Sequence, residues 1–156
     1  MSSGCPFKII GQAGAEDALV HASCVALAQG AVLISGPSGA GKSTLALHLM
    51  SLGCRLVADD RVSLRPVEGG VQAQAPGHIA GIIEARGVGL LNVPDYQRRA
   101  PLALVVDLAQ NEEDRLPPER TACVLGVTLP LLRRVEAPHF APAILQFLKG
   151  GRNTTV

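Results

Sequence analysis

The sequence predicts an α/β domain that carries a phosphate-binding loop (P-loop), with a strand-rich core sheet and flanking helices. Three observations predict it. Residues 34–50 read ISGPSGAGKSTLALHLM, the pattern G-x-x-x-x-G-K-[ST], with an apolar strand before it and an apolar run of helical spacing after it. Short aliphatic runs recur along the chain, divided by Gly, Pro and polar clusters. The 156 residues are 47% hydrophobic and 17% charged, enough for one sizeable core.

Taken in order, FKIIG is a short first strand. Residues 18–27 and 31–35 are two strands joined by the tight Ala28–Gln29–Gly30 link, and the second feeds the glycine loop. A helix follows from Lys42 to Leu52 and stops at Gly53. CRLVA is a buried strand that delivers Asp59 and Asp60. RVSLRPVEGGVQAQAP is two strands around Gly69–Gly70. The glycines of GHIAGIIEARGVGLLNV deny it one long element. LALVVDLA is a buried strand, QNEEDRLPPER a loop, and ACVLGVTLPLL a further strand. APHFAPAILQFLKGG holds a last helix starting near Pro142, and RNTTV is a tail. No linker, repeat or low-complexity segment interrupts this, so residues 1–156 are expected to be one domain without a separate N-terminal domain.

Composition narrows the function classes. Aromatic residues are 3%, so the core is aliphatic, and Phe7, Tyr96, Phe140 and Phe147 are too scattered for a base-stacking platform. A net charge of +1 argues against a nucleic-acid partner. No uninterrupted apolar stretch or basic-then-apolar leader is present, so neither a membrane span nor a signal peptide is expected. Cys5, Cys24, Cys54 and Cys123 form no C-x-x-C pair. They read as reduced thiols of a cytoplasmic protein rather than zinc ligands.

The chemistry centres on Gly36, Pro37, Ser38, Gly39, Ala40, Gly41, Lys42, Ser43 and Thr44. Glycines let successive backbone N–H groups converge on phosphate oxygens, and the helix start adds free N–H groups and its positive dipole end. Lys42 reaches the terminal phosphates and the Ser43 hydroxyl is a Mg²⁺ ligand. Asp59 and Asp60 end a strand beyond this helix. They hold Mg²⁺, accept a proton from an attacking hydroxyl, or form a polar strand end paired with Arg55 or Arg61. Neighbours in a strand point to opposite faces, so one of the two aims at the γ-phosphate. His21 lies in an apolar strand, where a lone histidine is more often a hydrogen-bonded structural residue. Glu84 sits among apolar residues and needs a cation or Arg86 nearby. Arg115 and the Arg133–Arg134 pair read, by themselves, as solvated charges.

VHASCVALAQGAVLISGPSGAGKSTLALHLMSLGCRLVADD together with GIIEARGVGLLNV resembles the catalytic domain of the bacterial HPr kinase/phosphorylases. The resemblance covers residues 20–93 and continues more weakly through EDRLPPE. It implies the HPr kinase/PEP carboxykinase-like fold and an ATP- and Mg²⁺-dependent serine kinase. The acceptor it implies is HPr, the phosphocarrier of the sugar phosphotransferase system. Carried over by position, His21 is the active-site histidine, Lys42 the loop lysine, and Ser43 and Glu84 the magnesium-binding positions. Asp60 takes the serine proton with Asp59 as its neighbour, residues 83–92 serve both directions of the reaction, and Arg115 is an active-site arginine. A hexamer is implied by the resemblance alone. Pro37 and Thr44 stand where the family commonly has acidic residues. LPLLRRVEAPHFAPAIL lacks the Gly-Arg-Asn run expected near there, and Gly151–Arg152–Asn153 lies too late in the chain to be equated with it. Arg133, Arg134 or Arg152 could substitute only if the fold brings one to the loop, which predicts a dominant kinase and a weak phosphorylase. Two other readings of the loop are a small-molecule kinase and a non-catalytic nucleotide-binding regulatory module.

Overall fold

The computed structural model describes Phe7–Ile9 and residues 17–155. Its strands are β1 (Phe7–Ile9), β2 (Ala18–Val20), β3 (Ala22–Leu27), β4 (Gly30–Ser35), β5 (Arg55–Ala58) and β6 (Val62–Val67). They continue as β7 (Gly70–Gln74), β8 (Ile82–Ala85), β9 (Gly89–Asn92), β10 (Arg99–Asn111), β11 (Thr121–Val124) and β12 (Val127–Arg134). The helices are α1 (Lys42–Ser51) and α2 (Phe140–Gly150). The result is a mixed α/β fold in which a curled sheet dominates.

The main sheet runs β1-β11-β12-β10-β4-β3-β5. β10 is parallel to β4 and to β12, whereas β3 is antiparallel to both β4 and β5. The long β10 curls the sheet. Its first residues, Arg99–Pro101, pair with β7, and Leu102–Asp107 pair with β4. β7 in turn carries β6 and β2.

Each face of the central strands is covered, which explains their nearly unbroken apolar runs. Leu33, Val57, Val105 and Cys24 pack toward the β2-β6-β7 layer with Leu64 and Ala73. Their neighbours Val32, Ile34, Leu56, Leu104 and Val106 pack toward the helices with Leu49, Ile144 and Ile83. Burying one such Leu or Ile contributes about 1.5–3 kcal/mol. Burial pushes the Cys54 thiol up to about 11 and the Cys24 thiol higher still, so these free thiols are packing groups. Cys123 is disulfide-bonded, which corrects the expectation that it is a reduced thiol; Cys5 lies outside the described residues.

Several expectations change in detail. The strand expected over residues 18–27 breaks at His21, because its two halves pair in different layers, β2 with β6 and β3 with β4. The segment expected as one strand at residues 122–132 is a hairpin. Leu125 (φ 50°) and Gly126 (φ 82°) turn the chain, as a two-residue hairpin requires. The glycine-broken segment holds the small β8–β9 hairpin. α2 begins at Phe140, and Pro142 fits its first turn, where no backbone N–H is needed. Of the FKIIG strand, Ile10 and Gly11 lie outside the described residues. No helix among the described residues is long and apolar enough to cross a membrane.

Candidate active site

Sheet order brings three chain ends to one edge. β4 and β5 run in the same direction with β3 reversed between them. The end of β4, the start of β3 and the end of β5 therefore meet, with Ala22 opposite Ser35 and Cys24 opposite Ala58. The glycine loop leaves β4 there, His21 precedes β3, and Asp59 and Asp60 follow β5.

The loop turns tightly from β4 into α1. Gly36 has φ 153°, and a Cβ on it would lie 3.1 Å from the Leu108 Cβ and 3.2 Å from the Ala40 Cβ. Gly41, at φ 98°, is the residue before the first helical turn, and its carbonyl accepts the Leu45 N–H at 2.9 Å. Lys42 is buried to 7% exposure, and its ammonium donates to the carbonyls of Gly36 (2.8 Å) and Pro37 (3.0 Å). An ammonium has three donors, so one N–H of Lys42 is left for an anion held by the loop.

The paired aspartates separate. Asp59 is buried and accepts three hydrogen bonds: from Ser23 Oγ (2.7 Å) and Ser43 Oγ (2.8 Å) on Oδ1, and from the Glu84 N–H (3.1 Å) on Oδ2. Asp60 turns outward at φ 70°, a conformation Asp tolerates better than most residues, and its Oδ1 lies 3.1 Å from His21 Nε2. A cavity of about 340 Å³ opens over these groups. His21, Lys42, Ser43, Asp60, Glu84 and Arg86 all line it.

Most of the expected site residues therefore share one cavity or touch a group that lines it. Arg115 does not. It is exposed on the loop after β10 and lies outside the cavity lining. Two residues outside the expected site set stand in it. Ser23 is fully buried and binds Asp59; a polar residue inside the run ASCVAL must have a partner, which was a readable signal. Arg134, expected as a solvated charge unless the fold brings it to the loop, does reach the glycine loop and donates to the Ala40 carbonyl.

Among the described residues, no three His, Cys, Asp or Glu side chains cluster closely enough to hold a metal ion by themselves. The groups present fit Mg²⁺ in another way, since that ion is usually bound by one or two carboxylates, waters and substrate phosphates. Asp59 accepts the Ser43 hydroxyl proton, which leaves Ser43 Oγ lone pairs for a cation, and Glu84 faces the same cavity.

The profile of the HPr serine kinase C-terminal domain family matches residues 12–132. A protein described as HPr kinase/phosphorylase from Aromatoleum aromaticum is 42% identical over 117 residues, 67% of this chain and 37% of that one. Another of the same description, from Clostridium novyi, is 37% identical over 90 residues, 54% of this chain and 29% of that one. The matched region is thus well under half the length of these relatives. A solved structure titled as the HPr(Ser) kinase/phosphatase from Coxiella burnetii superposes with a TM-score of 0.71 at 25% identity, covering 85% of this chain and 88% of that chain.

Proposed function

The chain belongs to the HPr serine kinase C-terminal domain family, and from that premise we propose that it is an ATP- and Mg²⁺-dependent kinase for a serine of an HPr-like phosphocarrier. The observation that carries this reading is the shared cavity. The glycine loop with Lys42 and Ser43 faces the His21–Asp60 pair across it.

In this reading the loop N–H groups and Lys42 bind the β- and γ-phosphates of ATP. Ser43 and Glu84 would hold Mg²⁺, with Asp59 orienting the Ser43 hydroxyl, and the ion would supply positive charge beside the phosphates. A second cavity of about 380 Å³, lined by Leu19, Val20, His21, Asp60 and Arg61, meets the first at the His21–Asp60 pair. The acceptor serine enters from that side. Its oxygen forms a bond to the γ-phosphorus as the bond to the β-phosphate oxygen breaks, and its proton passes to the Asp60 carboxylate. His21 orients that carboxylate through their contact at 3.1 Å. Arg86, rather than Arg115, is the guanidinium facing the transferring group. Regulation of the phosphotransferase system, a weak reverse reaction, a cytoplasmic location and assembly into hexamers belong to the same reading. Sedimentation measures the last.

The test is incubation with γ-labelled ATP, Mg²⁺ and HPr, with the labelled residue mapped. Label on an HPr serine that is lost in Asp60→Asn is expected. Transfer only to small molecules, or no transfer with intact nucleotide binding, would replace this reading by the small-molecule kinase or the regulatory module.

A further inference from the structure

The glycine loop separates two cavities, and they differ in chemistry. The one described above holds the acceptor-side groups. The other, of about 400 Å³, lies between α1 and the start of α2, within the roughly 300–1,000 Å³ range of small-molecule sites. Gly41 and Thr44 line both, so the cavities adjoin on either side of the first turn of α1. We propose that this second cavity binds the nucleoside of the phosphoryl donor, with Arg134 and Glu136 as its polar contacts.

The inference rests on the phosphate-loop reading and adds a direction to it. His21, Asp60, Glu84 and Arg86 put the γ-phosphate and the acceptor on one side of the loop. A triphosphate bound along the loop must then leave with its α-phosphate on the other side, past Gly41 and Thr44. That exit is the second cavity. Its wall suits a nucleoside: Leu108, Phe140 and Ala141 are buried and apolar, and α2 supplies a fixed backbone beneath them. Its polar side chains, Thr44, His48, Arg134 and Glu136, are a minority of the lining, as expected of a ligand site. Arg134 comes from the end of β12, which is parallel to β10, and its Nη2 would stand 3.8 Å from a Cβ at Gly41. One Nη2 bond goes to the Ala40 carbonyl, and the guanidinium keeps further donors for an α-phosphate oxygen. Glu136, exposed beside it, accepts from ribose hydroxyls or a base amine.

The experiment compares calorimetric affinities of the full chain for Mg·ATP and for Mg·tripolyphosphate, which has the phosphates but no nucleoside. The wild type should bind ATP tighter by at least about 10-fold. Ala137→Trp, at a half-buried position of the cavity wall, should remove most of that ratio while leaving tripolyphosphate binding nearly unchanged. An unchanged ratio overturns the proposal, as does a wild type that binds both ligands equally. If Ala137→Trp weakens both ligands, photolabelling of the wild type with 8-azido-ATP decides. Label within residues 134–148 supports the site, and label elsewhere rejects it. Lys42→Ala separates the two readings: if it leaves tripolyphosphate binding intact, the phosphate-loop reading itself fails. If it abolishes binding while Ala137→Trp leaves the ratio intact, only the nucleoside assignment falls.

Discussion

Replacing Asp59 by Asn keeps the side-chain shape and changes what its oxygens do. The carboxylate now accepts from two serine hydroxyls and one backbone N–H. The Glu84 N–H cannot rotate away, so the amide oxygen must face it and the amide NH₂ must face Ser23 and Ser43. Both hydroxyls can turn to accept, but each then loses the carboxylate as acceptor for its own proton, and three charge-assisted bonds become neutral ones. That change costs roughly 1–2 kcal/mol. For a chain of this size it corresponds to a fall in Tm of about 2–8 °C. The Ser43 oxygen then spends a lone pair on the amide, so the Mg²⁺ concentration needed for ATP binding rises. Asp60→Asn should behave differently. Its side chain is 68% exposed with His21 as its hydrogen-bond partner, so stability should stay within about 0.5 kcal/mol. Nucleotide affinity should hold within a few fold while transfer to HPr falls by about 10²-fold or more. Thermal unfolding, calorimetry across a Mg²⁺ series and labelled-ATP transfer measure these quantities. An Asp59→Asn variant with wild-type Tm and Mg²⁺ response would refute the reasoning. If Asp60→Asn instead loses nucleotide affinity and keeps transfer, the two roles are exchanged.

Lys42→Ala removes the buried point charge of the loop and should weaken Mg·ATP binding and abolish transfer; wild-type turnover would remove this loop from the catalytic assignment. Gly36→Ala places a Cβ against Leu108 and Ala40 at 3.1–3.2 Å and at φ 153°, costing about 1–3 kcal/mol; an unaltered Tm would show that the loop relaxes freely. Hydrogen bonds from the Arg120 guanidinium hold the Glu112 carboxyl down at about 2, against its usual 4.5. A depressed carboxylate stabilises the fold fully above the unfolded value and loses that contribution as pH falls from about 4.5 toward 2. Arg120→Met should therefore be less stable than the wild type near neutral pH, with the gap closing toward pH 2 in urea titrations. A gap of constant size across that range would refute the pairing as its cause.

The parts of the site that were legible in the sequence are those carried by local chemistry. A glycine loop between a strand and a helix needs only its own backbone to form. That Asp59 and Asp60 face different ways was expected from strand alternation, but both follow β5, and it is the left-handed φ of 70° at Asp60 that turns it outward. What was illegible depends on pairings between distant segments. Nothing near His21 says that the strand changes layers there; the reason is that β6 and β4 compete for the two halves of one apolar run. The turn at Leu125–Gly126 was hidden because Leu125 carries no turn signature of its own, and its φ of 50° is imposed by the hairpin around it. Arg115 and Arg134 show the same limit from both sides. One was carried to the site by resemblance and stands on an exposed loop. The other reads locally as a solvated charge, one of three late arginines that only the fold could bring to the loop, and it is delivered there by the parallel β10–β12 pairing.

That delivery bears on the reverse reaction. Attack of inorganic phosphate on phosphoserine brings extra negative charge toward Asp59, Asp60 and Glu84, so it calls for donors beyond Lys42 and the loop N–H groups. Three arginines late in the chain are the available substitutes for the Gly-Arg-Asn run that residues 129–145 lack, Arg152 among them in a late Gly-Arg-Asn of its own. Arg133 lines a cavity with Glu112, Glu113 and Asp114, away from the loop. Arg152 bonds to the Pro118 carbonyl at 3.2 Å and lies over the Phe147 ring. Arg134 does reach the loop, but on the far side, where it donates to the Ala40 carbonyl. On the acceptor side Arg86 is left as the guanidinium lining the cavity. Phosphorylation by ATP should therefore outrun phosphorolysis. Serine-phosphorylated HPr supplied with millimolar phosphate should release pyrophosphate slowly, and Arg86→Met should remove what release there is. Release as fast as forward phosphorylation would refute the charge argument. Release that survives Arg86→Met and vanishes in Arg134→Met would move the phosphate's donor to the far side of the loop.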